Sequence, residues 1–330
     1  MGKTYKETGV DIEAGEEAVS SIKGMVASTF SDNVLTQVGS FGACYSFPVD
    51  KYKNPVLVSS SDGVGTKLIV ANKMNKHDTI GQCLVNHCVD DILTIGARPL
   101  YFLDYVGTGK LVQENFKQIV KGLTIACKEN GCSLIGGETA EMPDVYQEED
   151  YDLVGNITGV VEKKNILTNR VKKGDVLIGL QSSGLHTNGY TLARNVLLGK
   201  HKVEDYVDDL GCTVGEEMLK IHRSYLKPVS PLLEKPGLHG ISHITGGGIF
   251  GNTKRVVPDN FNIKIDWKAW EWLPVFKYIQ ELGGVSEEEM RHVFNLGIGL
   301  ILIVAPDSVD DFTDNLHESE ENTFILGEIA

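Results

Sequence analysis

Four short stretches of this chain carry side chains that could do chemistry, and the first three follow or contain apolar runs. Asp62-Gly63-Val64-Gly65-Thr66-Lys67 is entered from Val56-Leu57-Val58. A buried strand that ends in a carboxylate, two glycines and a lysine lets backbone approach a ligand closely. Asp62 is placed to meet a metal ion and Lys67 to meet a phosphate. The second stretch is Gly136-Gly137-Glu138-Thr139-Ala140-Glu141, after Ser133-Leu134-Ile135. The third is Ser182-Ser183-Gly184-Leu185-His186-Thr187-Asn188-Gly189, and the fourth is Thr245-Gly246-Gly247-Gly248. The GxxxxGK[ST] spacing of a P-loop is absent. Asp62, Asp91, Glu138 and Glu141 supply hard oxygen ligands suited to magnesium, which commonly bridges carboxylates and substrate phosphates. Backbone N–H groups at Gly63, Gly65, Thr66, Gly136, Gly137, Gly246, Gly247 and Gly248 would take phosphate oxygens. From the residues alone the chain reads as a magnesium-dependent nucleotide enzyme without a P-loop.

The elements that must position these groups follow from periodicity. A helix is expected over 79–95, with Leu84, Cys88 and Ile95 on one apolar stripe and Asp91 on the same stripe. A carboxylate on a buried face needs a cation or strong donors, and a helix-end cap or a structural salt bridge serves as well as a metal. Asp90 points away, toward Asn86, and is expected to be solvated. A second helix is expected over 113–130, stopped by Asn130-Gly131. Strands are expected over 100–106, 152–161, 175–180, 300–304 and 323–329, and an acidic helix over 307–318. The aromatics and glycines of 37–47 suit a strand or strand edge, whereas the rest of the first forty residues reads as loosely structured. Strands and helices intermix in both halves, so the class is α/β or mixed α+β. The charged interval 162–173 is the expected boundary, dividing the chain near 1–168 and 169–330.

Histidines and tryptophans sort by context. A lone histidine is more often structural, but His186, flanked by Ser-Ser-Gly and Asn-Gly, points to function. His77, His87 and His243 read as local hydrogen-bonders or caps, and His201, His222, His239, His292 and His317 carry no signal. Trp267, Trp270 and Trp272 read as packing.

Composition excludes several classes. A net charge of −14 argues against general affinity for nucleic acid or anionic membranes. Glycine is abundant at 36 of 330 residues while proline stays at 10, a balance that suits ligand-contacting loops in a folded enzyme rather than a disordered linker. The six cysteines form no CxxC pair or zinc spacing and read as buried, reduced thiols. The start, Met1-Gly2-Lys3-Thr4-Tyr5-Lys6-Glu7, lacks the apolar segment of a signal peptide, and no stretch approaches a membrane span, so a soluble cytoplasmic protein is expected.

Taken together, the strings resemble the phosphoribosylformylglycinamidine cyclo-ligase (AIR synthetase) family of purine biosynthesis. They are Tyr5-Lys6-x-x-Gly9-Val10-Asp11-Ile12, Val38-Gly39-x-Phe41-Gly42, the Asp62–Lys67 loop and His77-Asp78-Thr79-Ile80-Gly81. Phe102-Leu103-Asp104-Tyr105, Gly109-Lys110-Leu111, Gly136 to Pro143 and Tyr151-Asp152-Leu153 continue the series, as do Ser182 to Tyr190, His243 to Gly248 and Phe294-Asn295-x-Gly297-Ile298-Gly299. They run in the family's order and cover the chain almost end to end. The resemblance implies a two-domain fold whose N-terminal sheet pairs across a homodimer into a β-barrel. It implies ATP and Mg2+, a small phosphoribosyl substrate, and ring closure after phosphorylation of an amide oxygen. It makes Asp62, Asp91 and Glu138 or Glu141 the metal candidates, Lys67 a phosphate contact, and His186 and Asn188 the residues for substrate contact or proton transfer. Asp90 stands where that family commonly carries asparagine. Two other readings compete: a superfamily relative such as thiamine-monophosphate kinase, and a catalytically silent nucleotide-binding scaffold, whose signature would be loss of the acidic ligands or loop glycines.

Overall fold

The computed structural model describes Tyr5 and residues 8–330. Lys6, within the first of the strings above, and residues 1–4 and 7 lie outside the described residues. The chain packs as two compact units, one comprising residues up to Val89 with Pro99–Val160, the other Asp90–Arg98 with Val161–Ala330. The sequence-based boundary anticipates a single junction, and the excursion of Asp90–Arg98 into the second unit has no counterpart in it.

The first unit begins with helix α1 (Ile12–Ala27), capped by Asp11, whose carboxylate accepts from Ala14 N. The expectation of a loosely structured start is thereby corrected. Ala18, Ile22 and Val26, spaced by four, form the buried stripe, while Gly15 and Gly24 dilute the helical signal in the sequence. Residues 37–47 form no strand either; the pairing there is one isolated bridge between Val34 and Tyr45. Strand β1 (Pro55–Gly63) is followed by α2 (Leu68–Met74) and α3 (Asp78–Leu93), whose residues through Val89 belong to this unit. Then come β2 (Arg98–Thr108), α4 (Gln113–Glu129), β3 (Ser133–Glu141) and β4 (Tyr151–Glu162). The sheet runs β1-β4-β2-β3, with β2 and β3 parallel and Thr108 opposite Glu141. Helices α3 and α4 meet backbone to backbone: a Cβ on Gly81 would lie 2.3 Å from Ile119 O, and one on Gly122 2.0 Å from Asp78 O. Glycine is the residue that permits that approach.

The second unit holds β5 (Val176–Gln181), α5 (Tyr190–Leu197), a small ribbon of β6 (Tyr206–Val207) and β7 (Cys212–Thr213), and short helices α6 (Val214–Met218) and α7 (Leu226–Val229). It continues through β8 (Leu238–His243), α8 (Gly248–Lys254), β9 (Ile263–Ile265), α9 (Pro274–Gly283), α10 (Glu287–Val293), β10 (Ile298–Val304), α11 (Val309–Glu318) and β11 (Thr323–Ile329). Its sheet is antiparallel in the order β8-β10-β5-β11-β9. Every residue of β10 is buried, so this strand forms the centre of the core. In register, Leu300 pairs with both Leu180 and His243. That pairing sets the ends of β5 and β8 beside the start of β10, which collects the loops 182–189, 244–248 and 294–297 at one end of the sheet.

Candidate active site

In the first unit, β1 delivers Asp62 to its end, where the side chain keeps 45% of its exposure and Oδ2 lies 2.9 Å from His87 Nε2. The other carboxylate oxygen accepts from Gly63 N at 2.7 Å. Gly65 takes a left-handed φ of 64°, which turns the chain into the segment that leads to α2. Lys67 does not point outward. It is fully buried, with Nζ 3.2 Å from Cys83 Sγ. The sequence expectation of a phosphate contact therefore meets a lysine held inside the unit, because the turn after Gly65 directs its side chain toward α3.

The two candidate carboxylates on β3 differ in their surroundings. Glu141 accepts from Asp11 N at 2.9 Å and Leu111 N at 2.7 Å. Both of its oxygens thus tie neighbouring segments to the end of the strand. Glu138 is exposed and lines a cavity of 940 Å³ together with Asp104, Tyr101, Thr139 and the 37–43 loop. Gly136 and Gly137 line the same cavity. A Cβ at Gly137 would sit 2.3 Å from Asp104 Oδ1, so this glycine makes room for a carboxylate.

Asp104 is half-buried, and loss of hydration pushes its carboxyl up to about 7, with its own backbone amide pulling the other way. The unfolded chain loses that proton near pH 4. Between those values the folded protein holds a proton that the unfolded chain has released, so stability falls as pH rises through the window. Asp104→Asn keeps the shape and removes the titration. Its stability relative to the parent is expected to climb from pH 4 to pH 7 and then level off, read from urea midpoints across pH. A difference that does not vary with pH would rule this out.

A further recess of 410 Å³ is walled by Asn72, His77, Phe116, Ile119 and Tyr151. His77 is buried and pairs through Nδ1 with the Tyr151 hydroxyl at 2.9 Å. Burial lowers the histidine pKa and raises that of the tyrosine, so both stay neutral.

In the second unit, Asn295 stitches two loops together. Its Oδ1 accepts from Ser182 Oγ and Gly297 N, and its Nδ2 donates to Gly184 O. His186 adopts φ 59°, is 1% exposed, and accepts from Ser183 N through Nε2 at 3.2 Å. It stacks on His222 with ring centroids 4.0 Å apart. Asn188 is half-buried and adjoins the triple-glycine loop, its Oδ1 3.4 Å from where a Gly246 Cβ would be. That loop is held from below by the Asn252 amide, which donates to the carbonyls of Thr245, Gly246 and Gly248. Gly247 and Gly248 both take positive φ, at 101° and 65°. In the sequence the one signal of Asn252 is an amide side chain shortly after a glycine run, which does not by itself mark a functional residue.

Asp90 and Asp91 exchange the places expected of them. Asp90 is fully buried and accepts from Tyr225 N at 2.9 Å. Asp91 keeps 26% of its side-chain exposure and binds His243 Nδ1 at 2.9 Å. The single-stripe argument fails because α3 is buried on all sides from Cys83 to Asp90. Among the described residues, the clusters of three potential metal ligands do not include Asp62, Glu138 or Glu141.

The comparisons with known proteins agree from end to end. Residues 42–161 match the family described as AIR synthase related protein, N-terminal domain, and residues 172–330 match AIR synthase related protein, C-terminal domain. The chain is 48% identical over 331 residues to a phosphoribosylformylglycinamidine cyclo-ligase of Pseudothermotoga lettingae, covering 100% of this chain and 98% of that protein. A relative of the same description from Shouchella clausii is 48% identical over 333 residues, with 100% and 96% covered. Among solved structures, a thiamine-monophosphate kinase from Stenotrophomonas maltophilia K279a superposes with a TM-score of 0.73 at 16% identity, covering 95% of this chain and 93% of that one. A hydrogenase maturation protein HypE solved in complex with ATP gives 0.69 at 15% identity, covering 98% and 88%. At such identities the likeness is one of fold.

Proposed function

The chain belongs to the phosphoribosylformylglycinamidine cyclo-ligase family, and from that premise we propose that it converts formylglycinamidine ribonucleotide into 5-aminoimidazole ribonucleotide, with ATP split to ADP and phosphate. The observation that carries this reading is identity of 48% over the whole length of a relative of that description. The likeness to a thiamine-monophosphate kinase is one of fold alone and does not favour phosphoryl transfer to another acceptor. A silent scaffold would have lost its acidic ligands and loop glycines, and this chain keeps them.

An amide oxygen is a poor leaving group. Phosphorylating the formamide oxygen makes it a good one, and the amidine nitrogen then attacks the activated carbon as phosphate departs. Magnesium, when bound, offsets charge on the triphosphate. Asp62, exposed at the end of β1 and oriented by His87, fits that ion in the first unit. Glu138 suits it better than Glu141, whose oxygens serve backbone amides. Asp91, oriented by His243, is the corresponding carboxylate of the second unit. Lys67 acts as a buried counter-charge beneath the loop. Asn188, beside the Gly246 loop, is the substrate contact, and His186 holds the 182–189 loop in shape from within. The recess beside His77 and Tyr151 combines apolar side chains with hydrogen-bonding ones, a lining that suits a planar base.

Homodimerisation is part of the same reading. The edge strands β1 and β3 and the exposed Leu57 on β1 would be sheltered by a second copy. No helix among the described residues is long and apolar enough to cross a membrane, and six free cysteines suit a reducing cytoplasm.

The test is a stoichiometric assay with magnesium, ATP and formylglycinamidine ribonucleotide. One ADP per aminoimidazole is the expected result. ADP without imidazole would point to a kinase-like relative. ATP binding without turnover would leave a scaffold.

A further inference from the structure

We propose that Asp90, His222 and His243, all in the second unit, form a buried binding site for a divalent metal of the zinc class. Their relative exposures are 0%, 0% and 5%, and they come from α3, the segment before α7, and the end of β8. His222 Nε2 lies 3.4 Å from Asp90 Oδ2 and 3.1 Å from His243 Nε2, and the three ligand atoms all fall within 4.8 Å of one another. Zinc binds such nitrogens and oxygens at about 2.0–2.1 Å in a tetrahedron, whose edge is then about 3.3–3.4 Å. The Asp90–His222 separation matches that edge, and the two imidazole nitrogens would need to part by only a few tenths of an ångström to reach it.

The surrounding hydrogen bonds point the same way. His243 Nδ1 faces the Asp91 carboxylate at 2.9 Å, and His222 Nδ1 faces Thr187 Oγ1 at 3.1 Å. Asp90 Oδ1 is occupied by Tyr225 N, which leaves Oδ2 as the oxygen turned to the imidazoles. A ligating histidine whose far nitrogen is fixed by a carboxylate or hydroxyl is the usual arrangement around a protein-bound metal. With Nδ1–H donated to Asp91, His243 turns its Nε2 to the Nε2 of His222 at 3.1 Å. Two facing imidazole nitrogens and a carboxylate in a dry interior are joined either by a shared proton or by a cation. Two imidazoles and one carboxylate select zinc, cobalt or nickel over magnesium, whose preference is for oxygen. The site is therefore chemically distinct from the carboxylates assigned to magnesium. A metal here would fix His243 and, through its other nitrogen, the direction of Asp91.

The experiment uses the full chain, stripped with chelator and titrated with cobalt(II) under saturating magnesium, which occupies oxygen-only sites. One equivalent is expected to bind with the intense visible bands of low-coordinate cobalt, and to raise the melting temperature. Asp90→Asn and His222→Gln are each expected to weaken binding at least about a hundredfold and to abolish the bands. X-ray absorption of the cobalt-loaded parent, which needs no variant to fold, should show two imidazole ligands. Pale six-coordinate absorption, bands that survive both substitutions, or an all-oxygen ligand shell would overturn the proposal. A melting temperature indifferent to metal would leave a shared proton as the link.

Discussion

Asp62→Asn is expected to lower coupled production of ADP and aminoimidazole by roughly 10²–10³-fold, the cost typical of removing one preorganised charge-stabilising group. Asparagine keeps the outline of the side chain and can still accept from Gly63 N, which sits at 2.7 Å from Oδ1. What it loses is the negative charge, and with it both the hard ligand for magnesium and the carboxylate oxygen that meets His87 Nε2 at 2.9 Å. Because Asp62 is half exposed at a strand end, the fold should be little disturbed, and the melting temperature is expected to stay within about 3 °C, the shift of roughly 1 kcal/mol in a chain of this size. The two products should fall together, since a single phosphorylation precedes ring closure. Steady-state rates for both, measured across magnesium concentrations, provide the check. Activity within tenfold of the parent would remove Asp62 from the metal site. A collapse in melting temperature would instead make its bond to His87 a structural one.

The largest effect on stability is expected at the crossing of α3 and α4. On an open helix face, exchanging glycine for alanine stabilises by about 1 kcal/mol through backbone entropy. At Gly122 the sign reverses. The added methyl would lie 2.0 Å from Asp78 O and 3.1 Å from Gln82 N, both backbone atoms that cannot swing aside. The helices must separate, and overpacking of this kind costs about 1–3 kcal/mol, so Gly122→Ala should be destabilising overall. Gly122→Val adds bulk and a β-branched penalty, and is expected to lose about 3 kcal/mol or more. Gly81 faces the same crossing, 2.3 Å from Ile119 O. Once one substitution has pushed the helices apart, the second should cost less than it does alone. Urea unfolding of Gly81→Ala, Gly122→Ala and the double variant measures this directly; an additive result would show that the two glycines do not share one contact.

Much of this architecture is legible in the residues. β10 and β11 are short, strongly apolar runs, and α4 carries an amphipathic stripe that ends at Asn130-Gly131, close to its observed end at Glu129. The strand-then-glycine pattern located the loops at 182–189 and 245–248, and the antiparallel register explains why they meet. Other features depend on what packs where. Helix α1 was hidden because two glycines interrupt its pattern, although its burial against α4 and β3 more than offsets their cost. The angle of Asp90 around its helix points to solvent, but α3 has no solvent face near it. His222 sits in no motif at all. Its importance comes from three segments far apart in sequence that place Asp90, Thr187 and His243 around one ring, and no local signal encodes such a meeting. Lys67 and His186 show the complement: each sits in a glycine-bearing loop motif, but its side chain turns inward, where neighbours decide its environment.

The excursion of Asp90–Arg98 into the second unit also bears on how the protein is made. Ribosomes release the chain from its N-terminus at about 5–20 residues per second. Tyr225, whose backbone amide meets the Asp90 carboxylate, lies 135 positions later. For on the order of ten seconds, then, the nascent protein carries an acidic side chain destined for a dry interior with its partners still unsynthesised. The last turn of α3 must wait in water while the strands of the first unit are already complete at Glu162. Vectorial synthesis would thus order the assembly in time, the first sheet closing early and the end of α3 docking only after translation has passed His243.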